Sequence, residues 1–129
     1  MDLIEKYLSL AEQNRFAEGL ALIEEIVRRN PNIATSQFNY GICLAELGRY
    51  QDAAKAFLRA YSLDPDDGRA LYRGSLALAS ADDTAGLLAL FQQECLRDPE
   101  MIHNFLEDKH FAKFWELPGF KRFKSEYIV

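Results

Sequence analysis

The chain has 129 residues, of which 49% are hydrophobic, enough for one globular domain with a modest core. Its formal net charge of −5 disfavours a general nucleic-acid-binding protein, because neutralising phosphates requires surplus lysine and arginine. No apolar stretch reaches the roughly 18 residues that a membrane span needs, and the first residues lack the basic and apolar regions of a signal peptide. We therefore expect a cytoplasmic protein with no nucleic-acid partner and no membrane span.

The two cysteines, Cys43 and Cys95, are far apart in the sequence, and each lies among apolar residues in a helical pattern. A disulfide framework would need more cysteines, and the spacing typical of metal ligands is absent. We expect two buried, reduced thiols, which fits a cytosolic compartment.

An internal repeat is the strongest signal in the sequence. Pro31, Pro65 and Pro99 follow one another at intervals of 34 residues. The same shift aligns two further columns, namely Leu10, Leu44 and Leu78, and the turn-forming residues Asn14, Gly48 and Asp82. Similarity at a fixed period indicates a stack of copies of one supersecondary unit.

Each repeat has the pattern of a helical hairpin. In the second unit, apolar residues recur at spacings of three and four on both sides of Gly48, a periodicity typical of helices. Gly48 is expected to end the first helix, and Pro65 the second. Neither helix can bury its apolar side alone, so neighbouring hairpins must stack. The predicted fold class is all-α, a solenoid of antiparallel helical hairpins.

The second unit resembles a complete tetratricopeptide repeat, whose period is also 34 residues. The matching residues are Tyr40-Gly41, Leu44, Gly48-Arg49-Tyr50, Ala53, Phe57, Ala60 and Leu63-Asp64-Pro65. The resemblance implies a right-handed α-α superhelix and a non-catalytic adaptor or scaffold that binds other proteins. Small residues such as Gly41, Ala53 and Ala60 would allow the two helices of the hairpin to approach closely.

The resemblance extends over three units, at residues 1–33, 34–67 and 68–101. The first unit keeps fewer of the motif residues. The third departs most, with Thr84, Leu87 and Glu94 in place of the aromatic and small residues of the second unit. We expect the third hairpin to be distorted.

The repeat does not continue after Pro99. Pro118 would fall inside a helix of a fourth unit, where proline costs about 3 kcal/mol. We expect residues 102–129 to form a helical cap within the same domain, with one short helix from Asp108 to Trp115 and another from Leu117-Pro118 to about Tyr127. The aromatic residues of this segment are expected to cover the end of the stack. The alternatives are an exposed partner-binding patch and a tail that fills the protein's own groove.

The sequence carries none of the motifs of nucleotide-binding loops, zinc hydrolases or serine hydrolases. His103 and His110 flank Glu107 and Asp108, but a third convergent ligand for a metal is missing. We therefore expect no enzyme activity, no cofactor and no metal site. The alternative is a metal-dependent hydrolase built on the two histidines.

In tetratricopeptide arrays the first helix of each hairpin lines the concave groove. By this resemblance the partner-binding groove comprises Ile4, Leu8, Thr35, Phe38, Asn39, Ile42, Arg69, Tyr72, Arg73 and Leu76, with Glu5, Glu12 and Glu46 on the same side. The apolar members would form a continuous stripe, and such a surface is typical of a binding site. An extended peptide or an amphipathic helix would suit it. The alternative is a groove that narrows and buries these residues itself.

Asn39, Arg69 and Arg73 resemble part of the carboxylate clamp with which some such domains bind a chaperone's acidic tail. Ile4 and Leu8 replace two polar positions of that clamp, so we expect only a local positive site for an acidic group of the partner. The alternative is that the arginines pair with Glu46, Asp66 or Asp67 of the chain itself.

Two further functions are compatible with the sequence. The chain could be a small cytosolic chaperone for a secretion or assembly subunit, a class that also uses three such repeats. It could also form a homodimer in which the tail of one chain caps the groove of another.

Overall fold

The computed structural model describes residues 1–128, and all regular structure in this range is helical. The α-helices are α1 (Leu3–Glu12), α2 (Phe16–Arg29), α3 (Ala34–Glu46), α4 (Tyr50–Leu63), α5 (Gly68–Ser80), α6 (Thr84–Arg97), α7 (Pro99–Glu107), α8 (Ala112–Trp115) and α9 (Pro118–Tyr127). A 3-10 turn at Lys109–Phe111 precedes α8. The predicted all-α class and its helical hairpins are confirmed.

The three turns between the helices of each pair share one backbone geometry. Asn14, Gly48 and Asp82 have φ angles of 57°, 78° and 54°. Glycine adopts a positive φ without steric cost, and asparagine and aspartate tolerate it better than other residues. After each of these residues the next N–H donates to the carbonyl of the leucine column: Arg15 to Leu10 (2.9 Å), Arg49 to Leu44 (2.8 Å) and Asp83 to Leu78 (2.9 Å). The turns therefore repeat every 34 residues.

The second helix of each pair ends two residues before a proline, with one cap residue between them. Asn30 and Asp98 take extended φ and ψ angles, and Asp64 has non-helical angles close to theirs (φ −138°, ψ 83°). Their N–H groups still bond to the last helical turn. Proline disfavours the helical region for the residue that precedes it, which explains this common end point. Pro99 also starts α7, as its first residue, where the missing N–H costs nothing.

The chain divides within α5 into two compact units, Met1–Ala77 and a second that begins at Leu78. The predictions of a single domain and of a distorted third hairpin stay predictions.

The first unit is held together by a core in which small residues admit large neighbours. Ala53 and Ala60 are buried. A Cβ atom added at Gly41 would lie 2.7 Å from the Phe57 ring, and one at Gly74 would lie 2.8 Å from Leu58 Cδ2. Gly41 therefore lets α3 approach α4 closely, as the sequence predicted. Gly74 likewise lets α5 approach α4.

The second unit has an aromatic core centred on Phe91 of α6. Trp115 stacks on Phe91 at 5.4 Å between ring centroids, and Phe105, Phe111 and Phe120 pack against the same ring. The indole N–H of Trp115 donates to the Phe105 carbonyl at 3.0 Å. Most aromatic side chains of the tail are thus buried in this unit, whereas Tyr127 is exposed.

The helices of the tail follow the sequence signals. The Asp108 carboxylate accepts a hydrogen bond from the His110 N–H at 2.8 Å at the start of the 3-10 turn that leads into α8. Leu117 precedes α9, which begins at Pro118 and ends at Tyr127. The helix α7 was not predicted.

Candidate protein-binding surface

The first helices of the three hairpins are linked to one another within the first unit. The Tyr7 hydroxyl of α1 donates a hydrogen bond to the Asn39 carbonyl of α3 at 3.0 Å. The Arg69 guanidinium of α5 lies 5.0 Å from the centre of the Phe38 ring of α3. The two contacts show that α1 lies beside α3 and that α3 lies beside α5.

The residues that the sequence assigned to a groove lie on these three helices. We call them together the first-helix face: Ile4, Leu8, Thr35, Phe38, Asn39, Ile42, Arg69, Tyr72, Arg73 and Leu76. None of the ten is buried. Ile4 and Leu8 keep 52% and 44% of their surface exposed, which is high for large apolar side chains. The first-helix face is therefore not closed by its own side chains.

Two columns of apolar residues run across the first-helix face in the 34-residue register. Ile4, Phe38 and Tyr72 occupy equivalent positions of the three helices, and Leu8, Ile42 and Leu76 occupy the positions one helical turn later. Side chains four residues apart lie on the same side of a helix. The two columns therefore run side by side across α1, α3 and α5.

Phe38 is held in place from several directions. Its ring meets the buried Phe57 edge-on, with 5.5 Å between centroids. The Arg69 and Arg73 guanidinium groups lie 5.0 Å and 5.8 Å from its centroid, within the range of a cation–π interaction. Phe38 is therefore as much part of the packing of the first unit as of its surface.

Arg69 already has a carboxylate partner. Asp67 accepts hydrogen bonds from the Arg69 backbone N–H (3.0 Å), from Nε (3.1 Å) and from Nη2 (3.2 Å). The Arg69 side chain, which is the main cause, lowers the pKa of the Asp67 carboxyl group. Of the intramolecular partners considered for the two arginines, Asp67 is the one that Arg69 contacts.

Arg73 differs from Arg69 because it forms no ion pair within residues 1–128. Its exposed guanidinium lies beside a cavity of about 480 Å³, lined by Gly68, Arg69, Tyr72, Arg73 and Leu76. Of the two arginines on the first-helix face, Arg73 is thus the one with its charge available to an anion.

A second cavity, of about 290 Å³, opens at the start of α1. Its lining includes Asp2, Leu3, Ile4, Ile26, Ile33 and Ser36. Ile33 is 43% exposed and directly precedes α3. Ile33 was not predicted as a surface residue, although a large apolar residue between two helices, beside polar Asn32, was a usable signal.

The buried polar groups beneath the first-helix face serve packing. The Cys43 thiol donates to the Phe16 carbonyl at 3.3 Å, and burial is the main cause that raises its pKa. Burial also raises the pKa of the Tyr7 hydroxyl. Cys43 and Cys95 are both buried and outside any disulfide, as predicted.

The histidines form no metal site within the described range. His110 Nδ1 lies 2.8 Å from an Asp108 oxygen in the 3-10 turn, where the carboxylate also caps the backbone. Residues 1–128 contain no group of three or more His, Cys, Asp or Glu side chains placed to hold a metal ion. In the same range, every helix is too short or too polar to cross a lipid bilayer.

Comparison with protein families agrees with this architecture. Residues 6–68 match the family model described as tetratricopeptide repeat. This stretch, from within α1 to the start of α5, is a tetratricopeptide-repeat region, as the resemblance of the second unit implied. A search of curated proteins found no match. The family generally provides non-catalytic modules for protein–protein interaction.

Proposed function

We propose that this chain is a non-catalytic adaptor or scaffold that binds a peptide or a helix of a partner protein on the first-helix face. The observation that carries the proposal is the pair of apolar columns on α1, α3 and α5. None of the ten residues of the first-helix face is buried, so both columns are accessible to a partner. Each apolar side chain that a partner covers contributes about 25 cal/mol per Å² of area removed from water.

An amphipathic helix would match the spacing of the columns. Its anchors at positions i, i+3, i+4 and i+7 would pack between the column of Ile4 and the column of Leu8. An extended peptide could place alternate side chains between the same two columns. In both cases the rigid packing of Phe38 and the Tyr7–Asn39 hydrogen bond keep the three helices in position, which limits the ordering cost of binding.

Arg73 supplies a polar contact to an acidic group of the partner. A guanidinium can bind a carboxylate with two parallel hydrogen bonds, which adds orientation as well as energy. Arg69 would contribute less, because a partner's carboxylate would have to displace Asp67.

The setting we propose is cytoplasmic. Two buried thiols outside any disulfide are typical of proteins in reducing compartments. The proposed partner is a protein or peptide, with neither a nucleic acid nor a cofactor involved. A homodimer in which one chain occupies the first-helix face of another is a special case of the same proposal.

The test compares two exposed leucines. Partner proteins are captured from the native cell extract, purified and titrated against the chain by fluorescence anisotropy. Leu8→Glu places a charge on the first-helix face, whereas Leu96→Glu does so at a leucine of α6 that is 80% exposed. We expect Leu8→Glu to weaken binding at least about fivefold, as loss of an interface anchor does, and Leu96→Glu to leave it unchanged.

Equal affinities of the two variants would refute the proposal, provided circular dichroism shows both to be folded. Capture of one small subunit in equimolar amount, which precipitates when separated, would instead favour the chaperone function.

A further inference from the structure

We infer that the first-helix face carries opposite charges at its two ends, negative at α1 and positive at α5. Its partner is therefore a segment with an apolar centre, a basic residue over α1 and an acidic residue over α5. This inference rests on the proposed function and specifies the chemistry of the partner at the same surface.

One column of the 34-residue register carries the change of sign. Glu5, Asn39 and Arg73 occupy equivalent positions on α1, α3 and α5, directly beside the column of Ile4. Glu5 and Arg73 are exposed, and neither has an ion-pair partner within residues 1–128. The surface along this column therefore passes from an acidic through a neutral to a basic side chain.

Further carboxylates strengthen the acidic end. Glu12 lies one helical turn after Leu8 and two turns after Glu5 on α1. Glu46 is the equivalent residue on α3. Both are exposed and outside any ion pair of the described residues. Asp2 and Ile4 line the same cavity, at the start of α1.

The nearby basic groups do not cancel this charge. Lys6 is two residues from both Ile4 and Leu8, so it points to the other side of α1, about 200° around the helix. Arg29, which also lines the cavity, shares the Glu25 carboxylate with Arg28, at 2.8 Å and 2.6 Å. These three groups leave one positive charge, which is fewer than the carboxylates of Asp2, Glu5 and Glu12.

The basic end keeps a net positive charge on α5. Asp67 compensates Arg69, while Arg73 is left without a carboxylate. Asp66 lies in the turn before α5, seven residues ahead of Arg73. The 480 Å³ cavity beside Arg73 gives a carboxylate room to approach the guanidinium without displacing Asp67.

Helix packing sets the spacing of the two charges on the partner. Neighbouring helices pack about 8–10 Å apart, so α1 and α5 are separated by roughly 16–20 Å. A helical partner covers this span in about 11–13 residues at 1.5 Å per residue. A partner with acidic groups at both ends would be repelled at α1, and one with two basic ends would be repelled at Arg73, so the charges select partner and direction.

The probes are four synthetic helical peptides of about 14 residues with one shared leucine face. They differ only in their end residues: Lys and Glu, Glu and Glu, Lys and Lys, or Gln and Gln. Titration at low salt measures their affinities for the full chain. We expect the Lys/Glu peptide to bind about threefold to tenfold more tightly than the others, and the preference to shrink in 0.5 M salt.

Variants of the chain then test the assignment of each end. Glu5→Lys should shift the preference to the Glu/Glu peptide, and Arg73→Glu should shift it to the Lys/Lys peptide. The double variant should again prefer Lys/Glu, bound in the opposite direction, because both signs are exchanged. Lys55→Glu on α4, an exposed residue outside the first-helix face, is the control and should change no preference.

The outcomes separate this inference from the proposed function. Equal binding of all four peptides to the unmodified chain would overturn the polarity while leaving an apolar binding surface. If Glu5→Lys and Arg73→Glu left the peptide preference unchanged, the polarity would also be overturned, and the apolar binding surface would remain. If none of the peptides bound at millimolar concentration, the binding surface itself would be refuted, and the inference with it.

Discussion

Tyr7 and Asn39 connect the first two repeats through one partly buried hydrogen bond. The Tyr7 side chain is 2% exposed, and its hydroxyl donates to the Asn39 carbonyl at 3.0 Å. A helical carbonyl that accepts a second hydrogen bond from a neighbouring helix fixes the distance and the rotation between the two. The bond therefore links the α1 part of the first-helix face to the α3 part.

We expect Tyr7→Phe to lower the free energy of unfolding by about 0.5–1.5 kcal/mol, the usual net value of one hydrogen bond. The ring still fills its site, so the loss is confined to the hydroxyl group. Urea denaturation followed by circular dichroism measures the change, and Tyr127→Phe, at a 53% exposed tyrosine, is the control. An unchanged stability of Tyr7→Phe would show that the bond contributes nothing.

The same tyrosine predicts a loss of stability at high pH. Burial raises the pKa of Tyr7 above its unfolded value near 10, so the neutral hydroxyl is favoured in the folded chain. This contribution is fully present below pH 10 and is lost as the pH rises beyond it. We expect the decrease in unfolding free energy between pH 9 and pH 11 to be smaller in Tyr7→Phe than in the unmodified chain, and unaltered in Tyr127→Phe. Equal decreases in all three proteins would contradict the assignment.

Gly41 and Gly68 offer a matched pair of substitutions. A Cβ at Gly41 would lie 2.7 Å from the Phe57 ring, whereas one at Gly68 meets no atom within 4 Å. We expect Gly41→Ala to destabilise the chain by about 1–3 kcal/mol through overpacking. Gly68→Ala should be neutral or stabilising by up to about 1 kcal/mol, since alanine restricts the unfolded chain. Thermal unfolding compares the two, and similar melting temperatures would be evidence against close packing at Gly41.

Phe91 and Trp115 predict a fluorescence signal for the second unit. Trp115 is the only tryptophan of the chain, and it stacks on Phe91 inside the aromatic core. Phe91→Ala should cost about 3–5 kcal/mol and shift the tryptophan emission to longer wavelength. Leu96→Ala, five residues further on α6 and 80% exposed, should leave both stability and emission unchanged. An unshifted emission in Phe91→Ala would contradict the proposed core.

The repeat made most of the fold predictable. Asn14, Gly48 and Asp82 marked the turns because only a few residue types accept a positive φ, and Pro31, Pro65 and Pro99 marked the helix ends. The helix α7 was not predicted, because Pro99 both ends the repeat and starts a new helix, and the 34-residue pattern gives no information beyond that point.

The candidate surface was predictable only in part. The register places its residues on one side of α1, α3 and α5, but it does not show which charges are already paired. That Asp67 engages Arg69, leaving Arg73 available, depends on the turn before α5, where side-chain directions follow from three-dimensional geometry. The edge contact of Phe57 with Phe38 likewise joins residues whose side chains meet only after the hairpins have stacked.

The most direct test of a binding function is photo-crosslinking in the native cell. A photoreactive amino acid is placed at Leu8 or at Ile42 of the first-helix face, and in a control at the exposed Lys55 of α4. We predict that Leu8 and Ile42 yield the same crosslinked partner and that Lys55 does not. A partner crosslinked equally from all three positions, or from Lys55 alone, would show that binding takes place elsewhere on the chain.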